Sequence, residues 1–340
     1  MTSSILVFLA SLALSVISSL VLAESLDRVG ERLGFSEGLL GIVTALGADA
    51  PEISAAITAL HGGRAALGFG VVLGSNVFNL AALLGLSAVI AGRVRVHRPA
   101  LALNGGASLA ATVLVAALLF GAIGPGVTVG LLAAVLVPYL VLLSKRPPRA
   151  ARPPETASRP GRRRQMGSLA GALMAAVEDV DRDLRRGETP PRATRQDFLT
   201  VVPALVAVVL GSIGMVHASV HLGHRWHVPD VLVGTLVLAS LTGIPNVIAA
   251  VRLALRHRGS AVVSESFNSN TINLLAGIAL PTLVVGTVAA SGLTALSAWW
   301  LIGMTVLVAG LAGYRGGLAR WEGAAIIAVY AGFVAVLVVG

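Results

Sequence analysis

Long apolar segments alternate with short polar links along most of the chain, and several of these segments approach 20 residues. A helix of about 20 residues crosses the roughly 30 Å hydrocarbon layer of a bilayer. The apolar runs are continuous, whereas the strands of a membrane β-barrel alternate polar and apolar positions. The pattern therefore predicts an all-α polytopic membrane protein.

Ten apolar segments are predicted to cross the membrane, and we number them spans 1 to 10. They form two groups of five on either side of one long hydrophilic segment, residues 144–197. We therefore expect a first five-helix repeat over 1–143 and a second over 198–340. The predicted spans are 3–23, 38–61, 65–90, 100–120, 126–143, 198–216, 230–255, 261–288, 293–311 and 324–339.

Composition supports membrane insertion. The hydrophobic fraction is 56% and the mean hydropathy is +0.86, which exceeds the usual apolar share of a soluble domain. The spans take up most of the 340 residues, so no soluble domain of ordinary size is expected. The chain contains no cysteine, which excludes disulfides, thiolate metal ligands and cysteine catalysis.

Positive charge is concentrated in alternate links between the spans. Of 25 Lys and Arg residues, 23 lie in the links 24–37, 92–98, 144–197, 252–259 and 313–323. The other two are Arg64 and Arg225. Because Lys and Arg accumulate on the cytoplasmic side, these five links are predicted to be cytoplasmic, with both termini outside the plasma membrane. The formal charge of +9 thus indicates orientation, and no nucleic-acid partner is expected.

The cytoplasmic segment 144–197 has two parts. Its first half is rich in Pro and Arg and is predicted to be disordered. Over about 166–186, apolar residues recur at steps of three and four, which predicts an amphipathic helix. We expect this helix to lie on the membrane surface, and a regulatory role is the alternative.

The two halves of the chain share a polar pattern at one fixed offset of 194 residues. Two five-span halves must have opposite orientations, which is the inverted repeat of many secondary transporters. Such transporters bind substrate near the bilayer midplane, between the repeats. The matched pairs are Pro51 with Pro245, Glu52 with Asn246, Arg64 with Arg258, Ser75 with Ser269, Asn76 with Asn270, and Asn79 with Asn273.

Polar groups whose burial in hydrocarbon costs free energy lie inside span 2 and its neighbours. Asp49 and Glu52 are three residues apart and share a helix face, and acids at membrane depth usually serve function. Pro51 between them removes a helical hydrogen bond, so a break or kink is expected there and at Pro245. With Ser, Asn and carbonyl groups the acids form an all-oxygen ligand set suited to Ca²⁺ or Na⁺. Helix–helix hydrogen bonding is the structural alternative for the Ser and Asn residues.

These clusters resemble the two α-repeats of the calcium/cation antiporter superfamily, which includes the sodium/calcium exchangers. The family pattern is roughly G-T-S-x-P-E on one helix and G-S-N-x-x-N on the next. The chain has GADAPE at 47–52 and GSNVFN at 74–79, and then TGIPN at 242–246 and NSNTIN at 268–273. The repeat motifs are expected over 44–85 and 238–279. The ten-span plan and the central loop also match.

The resemblance implies a cation site and a transport core. Glu52 would be the central ligand, spans 2, 3, 7 and 8 would form the core, and spans 1 and 6 would slide past it. Carbonyl oxygens near Ala45 and Ala239 would complete the ligand cage. The other implied ligands are Ser75, Asn79, Thr242, Asn246, Ser269 and Asn273.

The chain also departs from the family pattern. Asn246 stands where members usually carry a second carboxylate, and Asn273 where some carry Asp. Asp49 occupies a position usually held by Ser, so both acids come from the first repeat. Glu265 is a further candidate, either as a ligand near the cytoplasmic mouth or as a proton carrier. Its alternative role is to pair with an arginine of span 7, Arg252 or Arg256.

The predicted function is secondary antiport of Ca²⁺, or a similar cation, for Na⁺ or H⁺. Two acids balance one Ca²⁺, two Na⁺ or two protons, so the counter-ion stays open. We expect no enzymatic activity and no resident cofactor, with the bilayer and the transported cations as partners and the monomer as the working unit. The alternatives are a non-transporting ion-binding protein and, more remotely, an intramembrane aspartyl protease.

Four histidines lie near the outer end of span 6. They are His217, His221, His224 and His227, spaced by four, three and three residues. This spacing permits a Zn²⁺ site or a pH sensor. A polar cap at the membrane interface is the favoured interpretation, because Gly223 and Pro229 weaken the helix and no acid lies among the four.

Overall fold

The structure is a computed structural model that describes residues 2–33, 35, 37–144, 194–286, 290 and 292–339. Nearly all of these residues are helical, as the apolar pattern predicts. The amphipathic helix predicted over 166–186 and most of the segment 144–197 lie outside the described residues.

The described part of the first half contains seven α-helices, one π-helical segment and one strand. Each of these elements overlaps a predicted span or link. A π-helical segment of seven residues divides span 3. The elements are α1 (Thr2–Leu33), α2 (Glu37–Ala48), α3 (Ala50–His61), α4 (Ala65–Asn79), π1 (Leu80–Leu86), α5 (Ser87–Ala91), β1 (Arg93–Arg95), α6 (Arg98–Leu119) and α7 (Pro125–Ser144).

The second half repeats this plan. Its elements are α8 (Arg195–Trp226), α9 (Asp230–Leu232), π2 (Val233–Leu238), α10 (Ala239–Thr242), α11 (Ile244–Leu255), α12 (Gly259–Leu274), π3 (Leu275–Ala279), α13 (Leu280–Val285), α14 (Gly292–Arg315), β2 (Gly317–Ala319) and α15 (Arg320–Val339). The segment π1 begins directly after the repeat asparagine Asn79, and π3 begins two residues after its counterpart Asn273. Single π-helical turns inside helices often mark functional sites.

The predicted helix breaks are confirmed. Span 2 divides at Asp49 into α2 and α3, and Pro51 lies in the first turn of α3. Span 7 divides at Gly243, and Pro245 lies in the first turn of α11. The two parts of span 7 are bent by 47°. Proline fits a first helical turn because its missing N–H is not needed there.

Within the described residues, six helices are long and apolar enough to cross a membrane, and the bent pair that forms span 7 can make a seventh. Span 2 is absent from this set because each of its two helices has only 12 residues. The multi-pass all-helical class is therefore confirmed, whereas the number of ten spans stays a prediction. In the apolar 18-residue stretch of Ala65–Ala91, 94% of the residues are buried, against 22% in that of Thr2–Gly30. Span 3 is therefore central and span 1 peripheral.

Small residues allow the central helices to approach closely. A Cβ added at Gly74 of α4 would lie 2.5 Å from the Cα of Thr235 in π2. Such close contact between backbones is typical of helix packing in membranes. The strands β1 and β2 pair antiparallel and join the link after α5 to the link after α14. These contacts hold the two halves of the chain together around the repeat motifs.

Candidate ion-binding site

Asp49 lies at the centre of the polar cluster. It occupies the break between α2 and α3 and is 0% exposed. Its Oδ1 accepts a hydrogen bond from Asn246 Nδ2 at 2.8 Å and another from Ser269 Oγ at 2.9 Å. The two donors belong to α11 and α12. One carboxylate of the first half is therefore bonded to both motif helices of the second half.

A fourth motif helix joins this cluster through Ser269. Asn79 Nδ2 of α4 donates a hydrogen bond to Ser269 Oγ at 3.0 Å. Ser75 does not take the equivalent position, because its hydroxyl donates to the carbonyl of Val72 in its own helix at 3.1 Å. The motif residues thus form one buried network in which the two repeats are not equivalent.

Several buried oxygen atoms of this network have no hydrogen-bond donor. They are Asp49 Oδ2, both carboxylate oxygens of Glu52, Asn79 Oδ1 and Asn273 Oδ1. A buried carboxylate oxygen that lacks a donor is costly unless a positive charge compensates it. These atoms are hard oxygen ligands of the kind that Ca²⁺ and Na⁺ take. The donor set therefore fits a bound alkali or alkaline-earth cation.

Glu52 is the second buried acid of the first repeat. The 194-residue offset that relates the motifs pairs Asp49 with Gly243 and Glu52 with Asn246, so the second repeat has no acid at either position. Thr242, next to this glycine, donates its hydroxyl hydrogen to the Leu238 carbonyl at 2.8 Å. Glu52 is 0% exposed and within Coulombic range of Asp49. The two predicted acidic ligands are thus close together and fully buried.

Glu265 lies one helical turn before Ser269 on α12. Its carboxylate is within Coulombic range of Asp49, and its Oε2 is buried with no hydrogen-bond partner. Among the described ion pairs none joins Glu265 to Arg252 or Arg256, both of which are exposed. The alternative pairing with an arginine is therefore not seen among the described ion pairs, and the role of Glu265 stays a prediction.

The two predicted carbonyl ligands lie in the last helical turn before each break. The carbonyl oxygen of Ala45 accepts a hydrogen bond from the Asp49 N–H at 2.8 Å, and that of Ala239 from the Gly243 N–H at 3.2 Å. Both carbonyls therefore keep a backbone partner. A carbonyl oxygen has two lone pairs. The Ala45 carbonyl therefore retains one for a ligand, whereas the Ala239 carbonyl is also 3.5 Å from the Thr242 hydroxyl.

Asn76 and Asn270 have a structural role that the motif comparison did not assign. Asn76 Nδ2 donates to the carbonyl of Asn270 at 3.0 Å, and Asn270 Nδ2 donates to the carbonyl of Asn76 at 3.3 Å. The two residues are related by the repeat offset, so this reciprocal pair marks the pseudo-two-fold relation between α4 and α12. The sequence signal for this pair was that asparagine stands at the equivalent position of both motifs.

Helix α8 also contacts the site, which sequence reasoning missed. Ser212 Oγ donates to the carbonyl oxygen of Pro51 at 3.3 Å and lies 3.1 Å from Ser15 Oγ of α1. A lone serine in an apolar span gives no signal of such a contact. The α1–α8 pair is therefore in direct contact with the backbone next to Glu52.

The histidine cluster does not form a metal site. Across the part of the chain that the structure describes, no group of three or more His, Cys, Asp or Glu side chains could hold a metal ion. His224 Nε2 lies 2.8 Å from Arg64 Nη1, and His227 ends α8 in a left-handed conformation with φ of 55°. The structure therefore does not support the Zn²⁺ alternative, and the interfacial cap stays the favoured interpretation. The same finding means that a cation at Asp49 and Glu52 also needs hydroxyl, amide or carbonyl ligands.

The fold and the site together define a polytopic membrane protein with a buried, oxygen-rich site between two repeats. A sequence profile of the family described as sodium/calcium exchanger protein matches residues 3–145 and 197–339. The two matched segments start 194 residues apart, which is the offset that relates the motifs. The chain belongs to the sodium/calcium exchanger protein family, which confirms the resemblance seen in the motifs. This is a family of transporters.

Individual relatives are distant. The sodium/calcium exchanger MaX1 of Methanosarcina acetivorans is 24% identical over 142 residues, which are 42% of this chain and 41% of that protein. The sodium/potassium/calcium exchanger 3 of Homo sapiens is 31% identical over 91 residues, which are 27% of this chain and 14% of that protein. The matched regions thus span less than half the length of these relatives.

Similarity of structure extends over the whole fold. The sodium-calcium exchanger NCX_Mj, in a structure soaked with 10 mM Na⁺ and 10 mM Sr²⁺, aligns with a TM-score of 0.62 at 19% sequence identity. The alignment covers 98% of this chain and 97% of that chain. At this identity the likeness establishes a shared fold.

Proposed function

We propose that the protein is a secondary antiporter that exchanges Ca²⁺, or a similar cation, for Na⁺ or H⁺. The observation that carries this proposal is the set of buried, donor-free oxygens on Asp49, Glu52, Asn79 and Asn273. They are contributed by α3, α4 and α12 and by the break before α3, which the two repeats bring together. The names of the relatives, which include sodium/calcium exchangers, agree with this choice of ions.

Asp49 and Glu52 supply the charge that binds the cation in this proposal. Two carboxylates neutralise one Ca²⁺, two Na⁺ or two H⁺, so the alternative ions compete for one charge set. The neutral ligands are Ser75, Asn79, Thr242, Asn246, Ser269 and Asn273, with the carbonyls of Ala45 and Ala239. Glu265 is placed on the cytoplasmic side, because α12 begins at the link 252–259 that is predicted to be cytoplasmic.

Transport would proceed by alternating access. In this scheme α1 and α8 move together past the core of spans 2, 3, 7 and 8, and open the site first to one side and then to the other. Ser15 and Ser212 join the two moving helices, while the bond from Ser212 to the Pro51 carbonyl links them to the core. We further propose a monomer in the plasma membrane with both termini outside.

The test uses purified protein in proteoliposomes. We expect ⁴⁵Ca²⁺ uptake to be driven by an imposed Na⁺ gradient or pH gradient, and which gradient works identifies the counter-ion. Glu52→Gln should abolish uptake because it removes a buried charge without changing the size of the side chain. The matched control is Glu24→Gln, since Glu24 is exposed and pairs only with Arg28 one turn away. It should leave uptake unchanged.

Two results would contradict the proposal. Absence of uptake under either gradient would indicate a non-transporting ion-binding protein, provided that the protein still binds ⁴⁵Ca²⁺. Undiminished uptake by Glu52→Gln would show that the cation site lies elsewhere. Nothing in the structure or the comparisons supports the aspartyl protease alternative.

A further inference from the structure

Five arginines converge on the short ribbon formed by β1 and β2. Arg93 and Arg95 alternate with buried Val94 on β1, so both side chains lie on the exposed face of the strand. β2 pairs with β1 from Arg93 opposite Ala319 to Arg95 opposite Gly317. The ribbon therefore places Arg93 and Arg95 on the same exposed face of one strand.

The three other arginines flank this ribbon. Arg98 begins α6, Arg315 ends α14 and Arg320 begins α15, and all three are exposed. Arg93 Nη2 donates to the Arg315 carbonyl at 3.4 Å. We call Arg93, Arg95, Arg98, Arg315 and Arg320 the arginine patch.

Backbone contacts keep the flanking segments in place. The N–H of Arg320 donates to the Gly92 carbonyl at 3.1 Å, and Arg98 Nη2 donates to the Tyr314 carbonyl at 3.4 Å. The patch is thus a built surface that two separate segments, 92–98 and 313–323, form together.

Very little negative charge balances the patch. Glu322 is the single acid within 92–98 and 313–323, and it is 1% exposed. Its Oε2 accepts a hydrogen bond from the Ala319 N–H at 2.7 Å, and its Oε1 lies 4.0 Å from Arg315 Nε. Among the described ion pairs, Glu322 is the acid that reaches the patch, and it pairs with one arginine, Arg315. The two links together therefore carry a net positive charge.

Two exposed aromatic rings lie beside the arginine patch. Tyr314 is 78% exposed and Trp321 is 56% exposed. The Arg315 guanidinium carbon lies 5.5 Å from the centroid of the Trp321 ring. Trp and Tyr are enriched where a membrane helix passes from hydrocarbon to headgroups. The two rings therefore favour a position of the patch at the depth of the lipid phosphates.

The fold does not require arginines at this position. The repeat offset relates the links 92–98 and 313–323 to residues 286–292 and 119–129, which contain no charged residue. Those links also meet, since the Ala290 N–H donates to the Leu119 carbonyl at 2.8 Å. One end of the molecule thus makes the same kind of junction without charge, whereas the other end carries five arginines.

We propose that the arginine patch binds the phosphate-bearing headgroups of anionic phospholipids in the cytoplasmic leaflet. The positive-inside tendency explains how many arginines lie on this side. It does not explain their fixed arrangement on a ribbon between two aromatic rings. Basic pockets between membrane helices on the cytoplasmic side are known to bind anionic headgroups. This inference is independent of the transported ion and of whether transport occurs.

The experiment measures the thermal stability of the detergent-solubilised full-length protein during titration with phosphatidylglycerol. We expect phosphatidylglycerol to raise the melting temperature and phosphatidylcholine to leave it unchanged. In the double variant Arg93→Gln with Arg95→Gln, the half-saturating lipid concentration should rise by about fivefold for each arginine removed, which corresponds to about 1 kcal/mol per charge. Arg93→Lys with Arg95→Lys should retain most of the effect.

The matched control removes the same charge elsewhere. Arg32→Gln with Arg195→Gln changes two exposed arginines at the predicted cytoplasmic ends of α1 and α8, and it should respond like the wild type. The proposal fails if both Gln double variants respond equally, because overall charge would then explain the effect. It also fails if phosphatidylcholine is equally effective, or if inorganic phosphate alone produces the shift. The melting temperature without lipid shows whether each variant is folded.

Discussion

The residue at position 49 decides which repeat contributes the carboxylate at this contact. Asp49 Oδ1 lies 2.8 Å from the amide nitrogen of Asn246, the position where the resembled family usually has an acid. Relative to the family pattern, the acid lies on the other side of this contact, at a position usually held by Ser. Because the two groups are so close, a cation bound at the proposed site would experience a similar field from an acid at either position.

A charge exchange between these positions tests this view. Asp49→Asn alone should raise the half-saturating Ca²⁺ concentration by roughly 10-fold or more, since a hydrogen-bonded charge contributes about 1.5–3 kcal/mol. Adding Asn246→Asp should recover much of the loss, because it returns a carboxylate to the same contact. The readout is the Ca²⁺ dependence of uptake into proteoliposomes. A double variant as weak as Asp49→Asn would show that the position of the charge matters and not only its presence.

Helix α4 is the element on which the site depends most. It carries Ser75, Asn76 and Asn79, and it crosses π2 where Gly74 meets Thr235. A side chain at Gly74 would force the two backbones apart and would move Asn79 away from Ser269. Gly74 therefore supports the site by allowing α4 and π2 to pack closely.

Gly74→Ala should destabilise the protein by about 1–3 kcal/mol, which is the usual range for overpacking a tight contact. Gly106→Ala is the matched control, because a Cβ at Gly106 in α6 would meet no atom within 4 Å. It should stabilise the protein by about 0.5–1 kcal/mol through the better helix propensity of alanine. Denaturation in detergent measures both variants. Equal melting temperatures would contradict the close crossing of α4 and π2.

Across the molecule, α1 and α8 pair as one unit along much of their length. Ser15 and Ser212 meet in the middle of the pair. Arg28 Nε donates to Asp197 Oδ1 at 2.7 Å near the end that is predicted to be cytoplasmic. The first helix of each repeat is thus held to its counterpart. Such a pair can move as a rigid body relative to the core, as the proposed mechanism requires.

Cysteine cross-links can test this motion, since the chain has no native cysteine. A disulfide between Ser15→Cys and Ser212→Cys joins α1 to α8 and should leave ⁴⁵Ca²⁺ uptake unchanged. A disulfide between Asp27→Cys and Thr44→Cys joins α1 to α2, where the native side-chain oxygens are 3.4 Å apart. It should stop uptake until a reductant is added. Continued uptake with α1 fixed to α2 would contradict alternating access by sliding of α1 and α8.

Several features follow directly from the order of residues along the chain. The membrane class follows from the length and continuity of the apolar runs, because hydrocarbon thickness fixes how many residues a helix needs. The helix breaks follow from Pro51 and Pro245, because proline cannot donate the helical hydrogen bond. The repeat follows from residues that coincide at one offset. These are local or linear properties, and none depends on which helices touch.

The contacts between the motifs could not be obtained in this way. The motif comparison treated Ser75 and Ser269 as equivalent, yet Ser269 donates to Asp49 while Ser75 turns to Val72 of its own helix. Asn76 and Asn270 pair with each other's backbone, and Ser212 reaches Pro51 from a span with no motif. A side chain's partner is set by the helix packed against it, here about 160–220 residues away. The sequence therefore predicted which oxygen-bearing side chains belong to the site. Only the tertiary structure showed which of them bond to each other.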